Sequence, residues 1–247
     1  MLKDDVMDMY KQINLGSHRI CQQCKRANKS TGLSKPLSLW NAGRDYRQDK
    51  YKLLLVGKNG RGQLSDWERS DKIIDGTKMV EELLETGRAF WKYSEEIARC
   101  INGRGGNTGI DNIAMTNLIK CNNLLNDHGR NDDGSANDRT TESMKDNCIS
   151  NLQVIWKEIA ILRPKNIVIF SHYYYDEYLD QIPNFELIRQ KHDRKHTRIN
   201  GNKQMFWWER EGRLNSMPVR ILRTSHPERQ NKEGFVKKIT DWVKNSK

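Results

Sequence analysis

Three short apolar runs constrain the fold more than any other feature of the sequence. They are KLLLVG (52–57), NIVIFS (166–171) and VRILRTS (219–225), and a weaker run of the same kind, IAMTNLIKC, covers 113–121. Continuous apolar runs of this length are typical of parallel strands that are buried on both faces. The sequence therefore predicts a central, mostly parallel sheet of four strands.

Helical patterns lie between these runs. The predicted helices cover residues 77–101, 148–164 and 234–245. The first of them is expected to break into two pieces at Gly87. Strands that alternate with helices imply a parallel sheet covered on both faces. We therefore expect the α/β class, with residues 1–247 forming one three-layer α/β/α domain, a usual size for a single core.

Two polar stretches interrupt this alternation. NDHGRNDDGSANDRTTESMKD (126–146) has almost no apolar residue and predicts an inserted surface loop. RQKHDRKHTRINGNKQ (189–204) is strongly basic and is interpreted as a second insertion, a loop that is either solvated or in contact with phosphates. The MFWWERE segment that follows it predicts an additional strand.

The charge balance bears on the choice of partner. A formal net charge of +11 and a sequence pI of about 9.4 make a polyanion the first partner to consider. Basic proteins that bind no nucleic acid are also common, so the charge alone leaves both readings open. No apolar stretch approaches the roughly 18 residues of a membrane span, and the start, MLKDDVMDMYKQ, lacks a signal-peptide core. We expect a cytoplasmic monomer with no membrane partner.

A glycine cluster follows the first buried run, in LLLVGKNGRG (53–62). Glycines in this place let the backbone approach a ligand closely. The spacing of Gly57, Gly60 and Gly62 fits neither the phosphate loop nor the dinucleotide fingerprint. The identity of the ligand therefore depends on residues elsewhere in the chain.

Polar segments follow other predicted strands as well. Ligands of doubly wound sheets bind outside the carboxyl ends of the strands, and the segments found there are GKNGRG, TNLIKC and SHPERQ. Two Asn residues and one His from these segments are expected to converge on one crevice.

This order of motifs resembles the uracil-DNA glycosylase superfamily, closest to its iron-sulfur-containing, family 4-like branches. GKNGRG is similar to the first glycosylase motif, MTNLIKC to the base-reading strand and SHPE to the second catalytic motif. The resemblance implies that Asn59 positions the attacking water, that Asn117 recognises the base and that His226 contacts the base O2. RAFWK (88–92) is similar to a segment of the mismatch-specific branch, and the resemblance places the stacking aromatic at Phe90.

Five cysteines in an intracellular chain are expected to be thiols or metal ligands rather than disulfides. Cys21 and Cys24 form a C-x-x-C, the tightest spacing that lets two thiolates reach one metal ion or cluster iron. A pair of ordinary thiols is the alternative. A redox motif is disfavoured because no apolar strand precedes Cys21.

The resemblance extends to the cysteines. The iron-sulfur branches carry a third Cys directly after the N-x-x-x-C strand and a fourth at the start of the next helix. The resemblance therefore implies a [4Fe–4S] cluster held by four thiolates, which are Cys21, Cys24, Cys121 and Cys148. Structural zinc on the same ligands is the alternative. Cys100 is left over and is expected to be a core thiol on a helix.

The chemistry of glycosidic cleavage explains these residue types. Negative charge grows on the departing base, so a fixed donor such as His226 lowers the barrier, and the loss of one such donor costs about 3 to 4 kcal/mol. Asn59 would hold the water, with Asp66 and Glu68 as alternative general bases. The carboxamide of Asn117 can both donate and accept, which suits the O4 and N3–H of a flipped pyrimidine.

Departures from the family pattern point to the substrate. Gly60 replaces a proline, and Arg61 stands where the uracil-selective branch has a bulky aromatic that rejects a 5-methyl group. An open pocket formed by Gly57 and edged by Lys58 or Arg61 would suit a pyrimidine with a large polar 5-substituent, such as a hypermodified viral base.

Further residues are expected to contact DNA. After HP the usual small residues are replaced by charged and polar ones, so a polar wedge, Arg229 or Gln230, would fill the vacated stack. The cations of the basic run that are expected to contact phosphates are Lys191, Arg194 and Lys195.

The sequence therefore predicts a monofunctional DNA glycosylase that hydrolyses the N-glycosidic bond of uracil or a 5-modified pyrimidine and leaves an abasic site. Lyase chemistry is disfavoured because the motifs hold no evident nucleophilic Lys, although Lys58 leaves it open. One alternative is a catalytically inactive module of the same fold that recognises altered DNA. Another is a nucleotide-handling α/β enzyme with a redox cluster. DNA repair and antiviral defence are both compatible roles.

Overall fold

The structure is a computed structural model, and it describes residues 2–29, 32–59, 73–102, 109–122, 140–171, 173–199, 203–228 and 230–245. For residues 192–199 and 203–206 it describes the backbone alone. The α-helices of these ranges are α1 (Leu2–Gln12), α2 (Arg19–Ala27), α3 (Val80–Glu85), α4 (Ala89–Asn102), α5 (Glu142–Lys145), α6 (Val154–Leu162), α7 (Asp176–Leu179) and α8 (Lys232–Lys244). The strands are β1 (Asn41–Ala42), β2 (Leu53–Gly57), β3 (Ile113–Asn117), β4 (Asn166–Phe170), β5 (Phe185–Ile199), β6 (Lys203–Leu214) and β7 (Met217–Thr224).

The described strands form one mixed sheet of seven in the order β1-β3-β2-β4-β7-β6-β5. The four strands that the apolar runs predict are β2, β3, β4 and β7, and they lie side by side and parallel. The α/β class is confirmed. The prediction of only four strands is wrong, because β1, β5 and β6 add to this core in antiparallel orientation.

Hydrophobic residues cover both faces of the sheet. In β2, Leu54 and Val56 pack into a cluster that also contains buried residues of α1 and α6. Leu53 and Leu55 point into a second cluster, which contains residues of α4 and α8. Every residue of β2, β3 and β4 is buried, which is why their sequences are continuous apolar runs rather than alternating ones.

The helices predicted over 77–101 and 234–245 are confirmed, and the single helix predicted over 148–164 is wrong. α3 ends at Glu85 and α4 begins at Ala89, with Gly87 between them at a left-handed φ of 66°. The single helix predicted over 148–164 is instead a π-helical turn, Asp146–Asn151, followed by α6. Gln153 has a φ of 55°, which no α-helix allows, so the helix restarts after it.

The interpretation of the basic run 189–204 as a loop is wrong. Residues 185–199 and 203–214 are the paired strands β5 and β6, and the additional strand predicted at MFWWERE is confirmed as part of β6. Of the predicted loop 126–146, the structure describes 140–146, and Glu142–Lys145 there is α5. Within the described ranges, no helix is both long and apolar enough to cross a membrane.

Candidate functional site

The carboxyl ends of the parallel strands lie at one edge of the sheet. Gly57, the last residue of β2, is paired with Asn117, the last residue of β3. Phe170 at the end of β4 is paired with Thr224 at the end of β7. Because all four strands run in the same direction, the segments that follow them meet at this edge.

Two of these segments are joined beyond the strands. The Leu118 N–H donates to the Gly57 carbonyl at 2.9 Å, and the Ile119 N–H donates to the Lys58 carbonyl at 2.9 Å. The loop that carries Asn59 therefore runs beside the segment that follows Asn117.

Phe90, on the first turn of α4, connects the strand ends. A Cβ atom at Gly57 would lie 2.5 Å from Asn117 Oδ1 and 3.2 Å from Phe90 Cε2, so the missing side chain lets both groups approach. The Phe90 ring centre lies 5.9 Å from that of Phe170 and 6.3 Å from that of His226. The Phe90 and His226 rings are nearly parallel, with 18° between their planes. Gly57, Asn117, Phe90 and His226 thus surround one site.

Two carboxamides at this edge have buried atoms without partners among the described residues. Asn117 is 4% exposed and its Nδ2 has no hydrogen-bond partner. The Oδ1 atom of the half-buried Asn59 is also without a partner. An unsatisfied buried donor or acceptor costs about 1 to 3 kcal/mol, and such groups are rare in folded proteins. Both are therefore suited to a ligand that supplies the missing partner.

The imidazole of His226 is oriented by the turn that follows β7. Its Nδ1 accepts the backbone N–H of Glu228 at 3.3 Å, whereas the Glu228 carboxylate is 3.9 Å away. When Nδ1 accepts, the proton of the neutral ring is on Nε2. The side chain is 24% exposed, so Nε2 can act as a hydrogen-bond donor at the edge of the pocket.

The remaining predicted residues have different positions. Lys58 is half-buried next to Asn59. The Tyr93 hydroxyl donates to the backbone carbonyl of Gln230 at 2.9 Å. Lys191 is an exposed residue of β5. The predicted residues outside the described part are Arg61, Asp66, Glu68 and Arg229, together with the side chains of Arg194 and Lys195.

Two aromatic residues at the same edge were missed by sequence reasoning. Tyr173 and Tyr174 follow β4 closely, are 46% and 58% exposed, and have their ring centres 4.0 Å apart. The segment SHYYY comes directly after the NIVIF strand, so reading the residues after every strand would have found them. Exposed aromatic side chains of this size offer faces on which a ligand ring could stack.

The four predicted cysteine ligands line one cavity. Cys21 and Cys24 lie on α2, Cys121 lies four residues after Asn117, and Cys148 lies in the π-helical turn. The cavity is small and partly open to solvent. Sequence positions that are far apart thus meet at a single place.

The environment of these thiols is apolar but not without donors. Burial and, to a smaller extent, the neighbouring thiols raise the pKa of Cys121 well above its ordinary value and that of Cys148 to about 12. Burial also raises the pKa values of Cys21 and Cys24. The Gly16 N–H donates to Cys21 Sγ at 3.3 Å, a contact that favours the thiolate.

No group of three or more His, Cys, Asp or Glu residues in the described part of the chain is arranged to hold a metal ion. One ion requires its ligands to meet at one point, whereas each thiolate of an iron-sulfur cluster binds a different iron. The prediction of Cys100 as a core thiol is wrong: it is on a helix, α4, but it is exposed.

A buried ionic network supports the segment between the pocket and the thiols. Lys120 Nζ lies 2.5 Å from Glu158 Oε1, and the two side chains are 1% and 0% exposed. Thr116 donates its hydroxyl to the same carboxylate at 2.7 Å, and the Tyr10 hydroxyl also donates to it. The network joins β3 to α6 and α1.

The chain has no match among protein-family models or curated proteins. Its function therefore has to be inferred from the site. The site combines a glycine at a strand end, an aromatic ring, two carboxamides and an imidazole, which are groups that can hold a planar heterocycle with polar edges.

Proposed function

We propose that the protein is a monofunctional DNA glycosylase that hydrolyses the N-glycosidic bond of uracil or a 5-modified pyrimidine. The observation that supports this function is the gathering of Gly57, Asn117, Phe90 and His226 around one site. These are the residue types that a flipped base needs: a close backbone, an edge reader, a stacking face and a donor. The uracil-DNA glycosylase resemblance remains part of the proposal.

The base would be recognised by its pairing edge. The Asn117 Nδ2 atom has no partner among the described residues and would donate to the base O4, while Oδ1 would accept N3–H. Phe90 would stack on the ring from the side of α4. A pyrimidine satisfies the buried carboxamide, so binding removes the cost of its missing hydrogen bond.

Cleavage would depend on a donor that strengthens as charge develops. His226 Nε2 would donate to the base O2, and its orientation is fixed by the 3.3 Å contact of Nδ1 with the Glu228 N–H. Asn59 would hold the water that attacks the sugar. The products are the free base and an abasic site, and no covalent intermediate is involved.

DNA is the proposed partner because the net charge of +11 favours a polyanion and because Tyr173 and Tyr174 offer exposed stacking faces beside the pocket. The protein would act as a cytoplasmic monomer, in repair or in defence against foreign DNA. The wedge that fills the vacated stack would come from Arg229 or Gln230.

The cysteine cavity fits a cluster of the [4Fe–4S] type. Four thiols line it, and backbone and side-chain N–H groups contact two of the sulfur atoms, including Asn28 Nδ2 at 3.7 Å from Cys24 Sγ. A cluster bound there would supply a crosslink between α2, the end of β3 and the π-helical turn. Zinc on the same residues is the alternative, and iron analysis with a visible absorption spectrum distinguishes the two.

A second candidate is a module that recognises altered DNA without cleaving it. A carboxamide is a poor general base, and Asn59 is the predicted water ligand. Such a module would bind modified duplexes tightly and release no base.

The test uses duplex oligonucleotides that carry uracil, 5-hydroxymethyluracil or a glycosylated pyrimidine, followed by alkaline cleavage. We expect strand breaks at one of these bases, and a loss of about 100- to 1,000-fold in rate for His226→Ala. Asn245→Ala, at the exposed end of α8, is the control. No breaks with any substrate, together with tight binding, would favour the module. Normal turnover by His226→Ala would contradict the assigned site.

A further inference from the structure

The β5–β6 hairpin extends beyond the rest of the sheet. β6 is paired with β7 from Trp207 to Leu214, and the Trp207–Thr224 pair is the last. Residues 203–206 of β6 continue past this point and stay paired with β5, as in Arg198 with Gln204. The two paired segments 193–199 and 203–206, called the arm below, therefore have no third strand beside them in the described part of the chain.

The arm projects on the side of the pocket. Thr224 is the carboxyl end of β7, and His226 follows it two residues later. Because β6 runs antiparallel to β7, its first residues extend past the same edge at which Gly57 and Asn117 end their strands. Four strand residues beyond Trp207 correspond to a reach of about 13 Å.

The arm is strongly basic. Its two segments, DRKHTRI and KQMF, contain four Lys or Arg residues and one Asp, a net charge of +3 (4 − 1) with His neutral. Lys and Arg on an edge strand often serve only to prevent strand-to-strand aggregation. Here, however, these residues belong to strand segments that extend past the sheet at the edge where the candidate site lies.

Buried ion pairs hold the base of the arm. Arg223, which is 0% exposed, donates to Asp176 on α7 at 2.7 Å, and Trp208 Nε1 donates to the same carboxylate at 3.1 Å. Arg210 donates to the carbonyl of Leu179 at 2.6 Å and lies 4.3 Å over the Trp208 ring. Burial of a guanidinium carries a desolvation cost that a partner carboxylate has to offset, and Asp176 is that partner for Arg223. The arm is thus attached at a rigid base.

We propose that the arm grips duplex DNA beside the everted nucleotide, as a two-stranded ribbon placed along the major groove with its cations on the phosphates. The major groove, about 12 Å wide, admits a two-stranded β-ribbon, whereas a single strand offers no groove. This inference deepens the proposed function, since it names the duplex as the form of substrate and the arm as the second contact.

The test measures binding of a duplex of unmodified DNA by fluorescence anisotropy over a range of salt concentrations, with the complete protein. The arm variant carries Arg194→Gln, Lys195→Gln and Arg198→Gln. The control removes three exposed cations at the opposite, amino edge of the sheet: Lys50→Gln, Lys165→Gln and Lys244→Gln. Both variants have the same net charge.

We expect the arm variant to bind the duplex at least about tenfold more weakly and to lose about 2 to 3 units of the slope of log K against log salt, since each phosphate contact contributes about 0.9. The control should keep the slope, and binding of the single strand should change little in either variant. Equal slopes for the arm variant and the wild type would overturn the proposal. So would an equal loss of affinity of the arm variant for single-stranded DNA, or a variant whose sole change is aggregation.

This experiment separates the arm from the catalytic proposal. Unmodified DNA holds no base to excise, so an arm-dependent slope in a protein that releases no base supports the arm and rejects the glycosylase. Base release with an arm-independent slope does the reverse.

Discussion

At the scale of single residues, Gly57 determines whether the pocket can exist. Its missing side chain leaves room for Asn117 Oδ1 and the Phe90 ring, which would lie 2.5 Å and 3.2 Å from a Cβ atom. The carboxamide is the end of a mobile side chain, so it would move away rather than disrupt the strand. The position therefore affects recognition more than stability.

We expect Gly57→Ala to reduce base release by about 100-fold, because displacement of a positioning group by about 1 Å has an effect of that size. The free energy of unfolding, measured by urea denaturation, should change by less than about 1 kcal/mol. Gly87→Asn is the control, because Gly87 has open space around it and Asn tolerates its left-handed φ of 66°. Full activity of Gly57→Ala would mean that Asn117 does not recognise the base.

At the scale of elements, the buried network under β3 fixes the segment that carries both Asn117 and Cys121. Lys120 and Glu158 are almost fully buried and 2.5 Å apart. Removal of one partner leaves the other charge buried without compensation, which is far more costly than removal of both.

Glu158→Leu should therefore lower the free energy of unfolding by about 3 to 5 kcal/mol, as measured by chemical denaturation. The double variant Lys120→Met/Glu158→Leu should recover most of this loss, because two apolar side chains then fill the site. A double variant as unstable as the single one would show that the hydroxyls of Thr116 and Tyr10, which also contact Glu158, matter more than the charge pair.

The elements differ in how far their sequences predict them. β2 and β4 are buried on both faces, so almost every residue is apolar and the strands are evident. Residues 193–199 of β5 read DRKHTRI, with a single apolar residue, so this part of the strand leaves no hydrophobic period to detect. The break at Gln153 is set by its backbone conformation in the tertiary structure, and a Gln carries no sign of a left-handed φ.

The candidate site was predictable for a related reason. Its residues follow predicted strands, and the parallel order brings strand ends together, so Asn117 and His226 could be placed at one edge before the structure. Two features depend on side-chain packing: Asn117 Nδ2 has no partner among the described residues, and the Glu228 N–H orients His226. No linear pattern records these contacts.

The thiol-lined cavity lies between α2, the end of β3 and the π-helical turn. Cys148 lines this cavity and is a proposed metal ligand, whereas Cys100 is not. Cys148→Ser should lower bound iron, measured chemically after purification without oxygen, to less than half of the wild-type content. Cys100→Ser should keep it, because Cys100 is exposed on α4 and outside the cavity. Equal iron in both variants would contradict the assignment, and zinc in place of iron would favour the alternative metal.

At the scale of the whole molecule, the cysteine cavity and the pocket share one chain segment. Cys121 lies only four residues after Asn117, while β4 and β7, on the other side of β2, have no cysteine. Loss of a group held by the thiols would therefore loosen one half of the sheet edge and leave the other half intact.

If the thiols hold the proposed cluster, its removal with a chelator should accordingly increase amide hydrogen exchange, measured by mass spectrometry, in α2 and in residues 117–121. Peptides from β4 and β7 should stay protected, since both strands lie inside the sheet and Val168, Phe170 and Leu222 pack against α8 in a cluster that contains none of the four thiols. The arm should exchange at the same rate with and without metal, because its base is fixed by Asp176. Faster exchange across all regions would mean that the metal stabilises the entire fold, and no change at 117–121 would mean that the two sites are independent.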